Sequence, residues 1–592
     1  MHPAKTIVFS LTFTKSQSMQ YNISFPNPLQ HFFEISVSID TSSKSELELF
    51  LPIWRPGRYE AANYSKYLRD FKVENGAGDI VKYKKTSSSS WKIDTSSEDS
   101  VTVKYKYWAY RMDAGSSWFD EDLIYINFVN CIVYIKELMT EPCEILLDLP
   151  ENFEVGCGLK RQGNKFKASD YYELADSPLI ASADLEHLTY KAGGTDFHAW
   201  ISGKHSVDSE KMISDFKKFS ETQIQIMGEF PEPDYHFILI MLPFKFYHGV
   251  EHHDSTVICL GPGIVTDTDE LYTQLIGVSS HELFHSWNIL KIRPKELMPY
   301  DFNKDVFFPT GYVAEGFTTY YGDLFLAKSG VFDQEAYFTE LNTLFKRHFY
   351  NYGRLNYSVA DSSEDLWIDG YALNFPDRKS SIYVEGAMVA LCLDLMIRKS
   401  SNDEKSLDDV LRRLYADFGK TGKGYTSDDV QQICEDLYGG SLSDFFKSHV
   451  FGTDDKEELI NGLLAHVGCM LLKSENTNPF ENFLGIRLSS VGDNKGGLKV
   501  SHIAPAAIGE DFFSINDEIV TVNNQPLTIE TIEQFDPGEY TFLVKRSFDK
   551  TVTFTVKTGE QRYFPQYKIT PALHPTPQQR DSFESWTGLK LA

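Results

Sequence analysis

Two histidines four residues apart flank a glutamate in Ser279-Ser280-His281-Glu282-Leu283-Phe284-His285-Ser286-Trp287-Asn288. On a helix that spacing puts both imidazoles on one face, about one turn apart, within reach of one small cation. Zinc is the usual guest of such a pair, and Glu282, beside the first histidine, is placed to take a proton from a metal-bound water. The competing reading is a surface helix with two solvated histidines. A catalytic zinc needs a third protein ligand and one open position. Glu296, Asp301, Asp305 and Glu315 are the downstream carboxylates that could supply it. Glu296 and Asp301 sit in a polar connection after a proline. Glu315 opens the run Glu315-Gly316-Phe317-Thr318-Thr319-Tyr320-Tyr321, a helix able to aim it back at the first, and is the preferred ligand. Taken alone it also reads as a first-turn carboxylate favoured by the helix dipole. Asp323 is a candidate partner for a ligand histidine or an ordinary solvated position.

These residues need elements to hold them. Leu271 to Leu290 reads as the motif helix, stopped near Pro294, and Ala314 to Lys328 as a second helix ending near Gly330. Further helices fit Asp208–Phe230, capped by Asp208 or Ser209, and Tyr337–His348, Glu385–Lys399, Ser406–Phe418, Ser427–Leu437 and Leu442–His449. Two apolar strands, Tyr235–Met241 and Ser255–Leu260, bracket Tyr247-His248-Gly249-Val250-Glu251-His252-His253. From about Tyr21 to Leu185 the pattern is β: Phe33, Ile35, Val37 and Ile39 alternate with polar residues, and Leu47–Pro52 and Val101–Tyr107 repeat the pattern. An all-β sandwich follows, with Trp54-Arg55-Pro56-Gly57 as a rigid corner. Short strands return at Gly485–Leu488, Leu498–His502, Glu518–Val522 and Tyr540–Lys545, and the proline-rich stretch Gln561 to Ala592 reads as irregular or as a short helix ending near Trp586.

At 592 residues the chain exceeds a single core and suggests roughly three or four domains. Its composition, 42% hydrophobic and 24% charged, is that of a globular protein. A net charge of −27 argues against nucleic acid or anionic membrane as partner, since both demand basic patches. Cys131, Cys143, Cys157, Cys259, Cys392, Cys434 and Cys469 are scattered without a C-x-x-C pair, which points to reduced, mostly buried thiols. No apolar run approaches the ~18–20 residues of a membrane span. Thr6–Phe13 reads as a strand more readily than as a signal peptide, so a cytoplasmic location is favoured over a periplasmic or secreted one.

His281-Glu282-x-x-His285 followed by Glu315-Gly316-Phe317-Thr318-Thr319-Tyr320-Tyr321 resembles the gluzincin metallopeptidases. Gly249-Val250-Glu251-His252 is similar to the element with which gluzincin aminopeptidases hold a substrate's free amine. The 29 residues between His285 and Glu315, the Trp287-Asn288 and Arg293-Pro294 that follow the motif, and the Trp54–Gly57 corner resemble the glycyl aminopeptidase family. That resemblance implies a multidomain α+β chain. Its expected parts are an N-terminal β-sandwich-like domain over 1–190, a thermolysin-like, mostly helical catalytic domain over 191–468, a PDZ-like β domain over 469–560 and a tail over 561–592. It implies one Zn²⁺ per chain on His281, His285 and Glu315, Glu282 as general base and later acid, and Tyr383 as donor to the oxyanion. It implies that Glu251 pairs with the substrate ammonium, with Gly249, Val250 and His252 around it. Tyr383 alone would read as a core aromatic. The family's usual first glycine of the amine-binding element is His248 here, which either narrows the pocket or faces solvent. His252 and His253 read as structural or pocket-lining.

Phe483-Leu484-Gly485-Ile486 resembles a PDZ carboxylate-binding loop, and Asn516-Asp517-Glu518-Ile519 the turn and strand that accompany it; alternatively the module only packs on the catalytic lobe. The leading expectation is a zinc aminopeptidase that removes small N-terminal residues from peptides. The alternatives are an endopeptidase recruiting proteins through the PDZ-like module and a non-catalytic peptide-binding protein.

Overall fold

The protein is described from a computed structural model, which places residues 19–41, 44–371, 374–490, 497–527, 532 and 535–592. The strand expected over Thr6–Phe13 lies outside them.

The alternation near the N-terminus forms the strand Phe32–Asp40, with Phe33, Ile35, Val37 and Ile39 buried on one face. It lies between Met19–Ser24 and Ser100–Trp108 in a seven-stranded sheet. A three-stranded sheet, Glu46–Phe50, Ser90–Asp94 and Tyr83–Ser87, and a four-stranded sheet complete this β-rich part. Its core joins residues from the sheets to Ile289, Leu297, Tyr300, Phe302 and Phe308, so it is packed against the loop that follows the histidine motif. Trp54 is fully buried and its Nε1 donates to Asp301 O at 2.9 Å.

A five-stranded sheet opens the helical part, in the order Glu186–Ala192, Thr195–Ser202, Asp234–Met241, Ser255–Gly261, Phe246–His252. The inner strands are apolar on both faces because helices cover one side and the β-rich part the other. Phe246–His252 is the edge, antiparallel to Ser255–Gly261. Asp208 caps the helix Ser209–Met227, accepting from Lys211 N. The motif helix runs Asp269–Phe284, shorter at its C-terminal end than expected. Past His285 the chain continues in turns, because Trp287 is pulled into the core and its Nε1 donates to Glu229 O at 3.0 Å. The second helix begins with a π-helical turn, Tyr312–Phe317, and continues as Thr318–Lys328. Gln334–Phe349 and Ile382–Ser401, here the cleft helix and the tyrosine helix, pack around it.

The C-terminal sheet takes the order Ile486–Ser490, Leu498–Ile503, Glu518–Val522, Glu539–Lys545, Thr551–Lys557 and has its own small core. The stretch after it takes the helical alternative near Trp586 and adds a strand before it. Gln566–Pro571 pairs with Cys469–Ser474, and the helix Pro577–Thr587 docks on the helical part, where Trp586 Nε1 donates to Tyr320 Oη at 2.7 Å. No helix among the described residues is long and apolar enough to cross a membrane.

Candidate active site

The motif helix and the π-turn bring three side chains together. His281 Nε2 and His285 Nε2 lie 3.1 Å apart, and Glu315 Oε2 lies 3.9 Å from the first and 3.4 Å from the second. The π-turn widens the start of the second helix and turns Glu315 inward; such turns concentrate at functional sites. Gly316 and Gly386 let that turn and the tyrosine helix approach backbone to backbone. His285 Nδ1 lies 2.7 Å from Asn288 O, which makes Nδ1 the donor and leaves Nε2 free to bind. Asn288 Nδ2 in turn donates to Val313 O at 2.8 Å and to Thr318 Oγ1 at 3.1 Å, clamping the turn after the motif onto the segment that carries Glu315. The Thr318 backbone lies beside the ring of His281 and favours its charged form, against burial and His285. Asp323 does not serve it: it lines the same cavity without a hydrogen bond among the described residues.

Glu282 and Glu251 face this trio. Glu251, Glu282 and His285 form an overlapping group whose ligand atoms lie within 4.8 Å of one another. Glu251 Oε1 and Glu282 Oε2 are buried without a hydrogen-bond partner among the described residues. Burial lifts the Glu251 carboxyl to about 7 and pushes that of Glu282 well above its ordinary range. Burial works against a charged His285, yet Glu251, Glu315 and Glu282 outweigh it and raise the imidazole to about 10. Three buried carboxylates converging on two imidazoles are short of positive charge. A divalent cation on His281, His285 and Glu315 fits that donor set, nitrogen and oxygen ligands with room beside them.

The edge strand sorts its residues by side. Gly249 and Glu251 line a cavity of about 860 Å³ with the trio, Glu282 and Tyr383. The side chains of Val250 and His252 face away from it: Val250 packs in the core beneath the sheet, and His252 Nδ1 meets Asp176 Oδ1 at 2.9 Å. A strand turns alternate side chains to opposite faces, so Val250 and His252 cannot join Glu251 on its side. Gly249 has to be small, because a Cβ there would collide with Glu282 Oε1. His248 reaches the rim, where its Nδ1 accepts from Ala114 N at 3.3 Å and burial lowers it to about 4, so it is a neutral acceptor. His253 follows the strand in the turn, 3.5 Å from Glu232 Oε1.

Two contributors were legible only as a turn. Gly57, at φ +75°, lies so close to Glu251 that a Cβ would be 2.5 Å from Oε2. Arg55, 3% exposed, has no acidic ion-pair partner among the described residues, and its charge favours ionised Glu251 and Glu282. The Trp54–Gly57 sequence signals a corner; only the tertiary fold reveals that this corner abuts the cavity.

Residues 20–183 match the family model described as the peptidase M61 N-terminal domain, and residues 274–389 match that of the M61 glycyl aminopeptidase. Among solved structures, an aminopeptidase N family protein from Idiomarina loihiensis is 25% identical, covers 96% of this chain and 100% of its own, and superposes with a TM-score of 0.86. An M1 zinc metallopeptidase from Deinococcus radiodurans is 14% identical over 74% of this chain and 95% of its own, with a TM-score of 0.45. No curated protein matches the sequence. The two family matches, with the fold they share with the Idiomarina protein, support a peptidase.

Proposed function

We propose that this peptidase is a zinc aminopeptidase acting on peptides with a free N-terminus. The observation that carries the reading is the convergence of His281, His285 and Glu315, with Glu282 and Glu251 beside them in one cavity. The three ligands would hold zinc, which supplies Lewis acidity to a water and to the scissile carbonyl. Glu282 then accepts the water's proton and returns it to the departing amine, a task suited to a carboxyl whose pKa burial has raised. Tyr383, whose hydroxyl burial keeps protonated, donates to the oxyanion. Glu251 pairs with the substrate ammonium, and the Gly57 corner packs against its carboxylate, which favours chain ends over internal bonds. The close Gly57 contact also favours small first residues. The C-terminal sheet, whose edge strand Ile486–Ser490 follows Gly485 at φ +67°, we read as PDZ-like.

The test measures zinc per chain by elemental analysis, together with cleavage of free and N-acetylated peptides with and without chelator. About one zinc, chelator-sensitive turnover and rejection of the acetylated peptides are expected. Glu282→Gln keeps the zinc and lowers kcat by ~10²- to 10⁴-fold. A metal-free active protein would overturn the zinc site, and equal cleavage of acetylated peptides would overturn the role of Glu251.

A further inference from the structure

The cavity continues beyond the histidines. The edge strand, the motif helix, the second helix and the cleft helix Gln334–Phe349 pack on one another in that order. Cavity residues on the cleft helix therefore lie across the His281–His285 pair from Glu251. Arg347, in the last turn of the cleft helix, lines the catalytic cavity. It also lines a second space of about 280 Å³, between this helix, the start of the tyrosine helix and the C-terminal sheet. Arg347 thus stands between the two spaces and faces both.

The second space is cationic. Lys346, Arg347 and Arg487 line it with His502, whose imidazole burial and Arg487 keep neutral, against one carboxylate, Asp377, which accepts from Tyr352 N at 3.0 Å. Arg487 is engaged, its Nε 3.5 Å from Glu481 and its guanidinium over the Tyr350 ring. Lys346 meets only the Tyr350 ring, at 5.7 Å. Arg347 is exposed and has neither an ion pair nor a hydrogen bond among the described residues, although Asp323 and Glu340 stand on the same cavity wall. At the rim of the catalytic cavity, two neighbouring cations with no ion pair among the described residues suit an anionic group brought in by the substrate.

We propose that Arg347, backed by Lys346, binds a carboxylate of the substrate downstream of the scissile bond, selecting short peptides by the position of that group. The guanidinium fork matches a carboxylate in two parallel hydrogen bonds. This rests on the aminopeptidase reading, in which Glu251 fixes the opposite end. The carboxylate is supplied either by the peptide's C-terminus or by an acidic side chain.

The test uses the full chain and free-amine peptides of two to five residues in three forms: C-terminal acid, C-terminal amide, and amide with one downstream glutamate. An aminoacyl reporter, which has no downstream carboxylate, is run alongside with the unaltered protein. At one favoured length the acid is expected to exceed the amide by ~10- to 100-fold in kcat/KM, chiefly through KM. Recovery by the glutamate-bearing amide assigns the contact to a side chain, and no recovery assigns it to the C-terminus. Arg347→Gln removes the difference and Arg347→Lys keeps part of it. Acid and amide forms within twofold at every length, with no gain from glutamate, would overturn the carboxylate site while leaving the aminopeptidase reading intact. An inert reporter together with inert peptides would overturn both.

Discussion

Gly249 shows how tightly Glu282, the proposed base, is seated. Its missing side chain lets the edge strand lie against Glu282, and a Cβ there would also press on Val278. Gly249→Ala is expected to leave the fold intact and displace Glu282, lowering kcat by ~10²-fold with a smaller change in KM, read by steady-state kinetics. Asn288 acts one step back from the proposed zinc ligands. Asn288→Ala leaves Val313 O without its amide and frees the turn that orients His285. It is expected to cost about 1–3 kcal/mol in denaturant titration and to weaken zinc ~10- to 100-fold in chelator competition. At this scale much could be read in advance. His281, Glu282, His285 and Glu315 are legible because helical spacing is local. The strand alternation that removes Val250 and His252 from the cavity was equally local, and a period-two reading of residues 247–253 would have found it.

Among the elements, the tyrosine helix carries a second buried network. Glu385, two residues after Tyr383, accepts from His348 Nδ1 at 2.7 Å and from Lys456 Nζ, all three nearly inaccessible. It joins the tyrosine helix, the cleft helix and the approach to Glu457–Leu464. Burial alone would raise Glu385, but His348 and Lys456 hold it far below the usual carboxylate range. A carboxyl depressed in the folded state stabilises above its unfolded pKa, about 4.3, and loses that contribution as pH falls further. His348, lowered by burial, shifts stability in the same direction below about 6.5. Unfolding free energy is therefore expected to decline from pH 7 to pH 4, measured by denaturant titration. Glu385→Gln should cost about 3–5 kcal/mol at pH 7 and much less at pH 3. Helix positions followed from periodicity and from Asp208 as a cap, while Ser406 and Thr426 cap their helices without having been read as caps. The π-turn at Glu315 and the early end of the motif helix did not, because Asn288 and Trp287 set them through partners distant in sequence.

Across the whole molecule, the last residues belong to the helical part. Trp586 is fully buried, and its bond to Tyr320 continues through Tyr320 Oη to Asp394 Oδ2 at 2.6 Å and on to Arg398. Trp586→Ala is expected to destabilise by about 3–5 kcal/mol in thermal or denaturant unfolding, with activity falling in parallel because Tyr320 lies on the helix of Glu315. The sequence of this stretch reads as irregular or as a short helix ending near Trp586, and the helix is what forms, over Pro577–Thr587. Its prolines and glutamines concealed a strand whose partner, Cys469–Ser474, lies about a hundred residues upstream.

The contact between Gly57 and Glu251 has a consequence for inheritance as well as for chemistry. On the proposed aminopeptidase reading, the floor of the amine end would be laid by one half of the chain and the reactive groups by the other, so neither half would carry a complete specificity. A catalytic half parted from its N-terminal companion would keep its histidines and lose its back wall, becoming a groove open at both ends. Exchange of N-terminal halves between related chains would then move the choice between trimming and internal cutting without touching a single ligand.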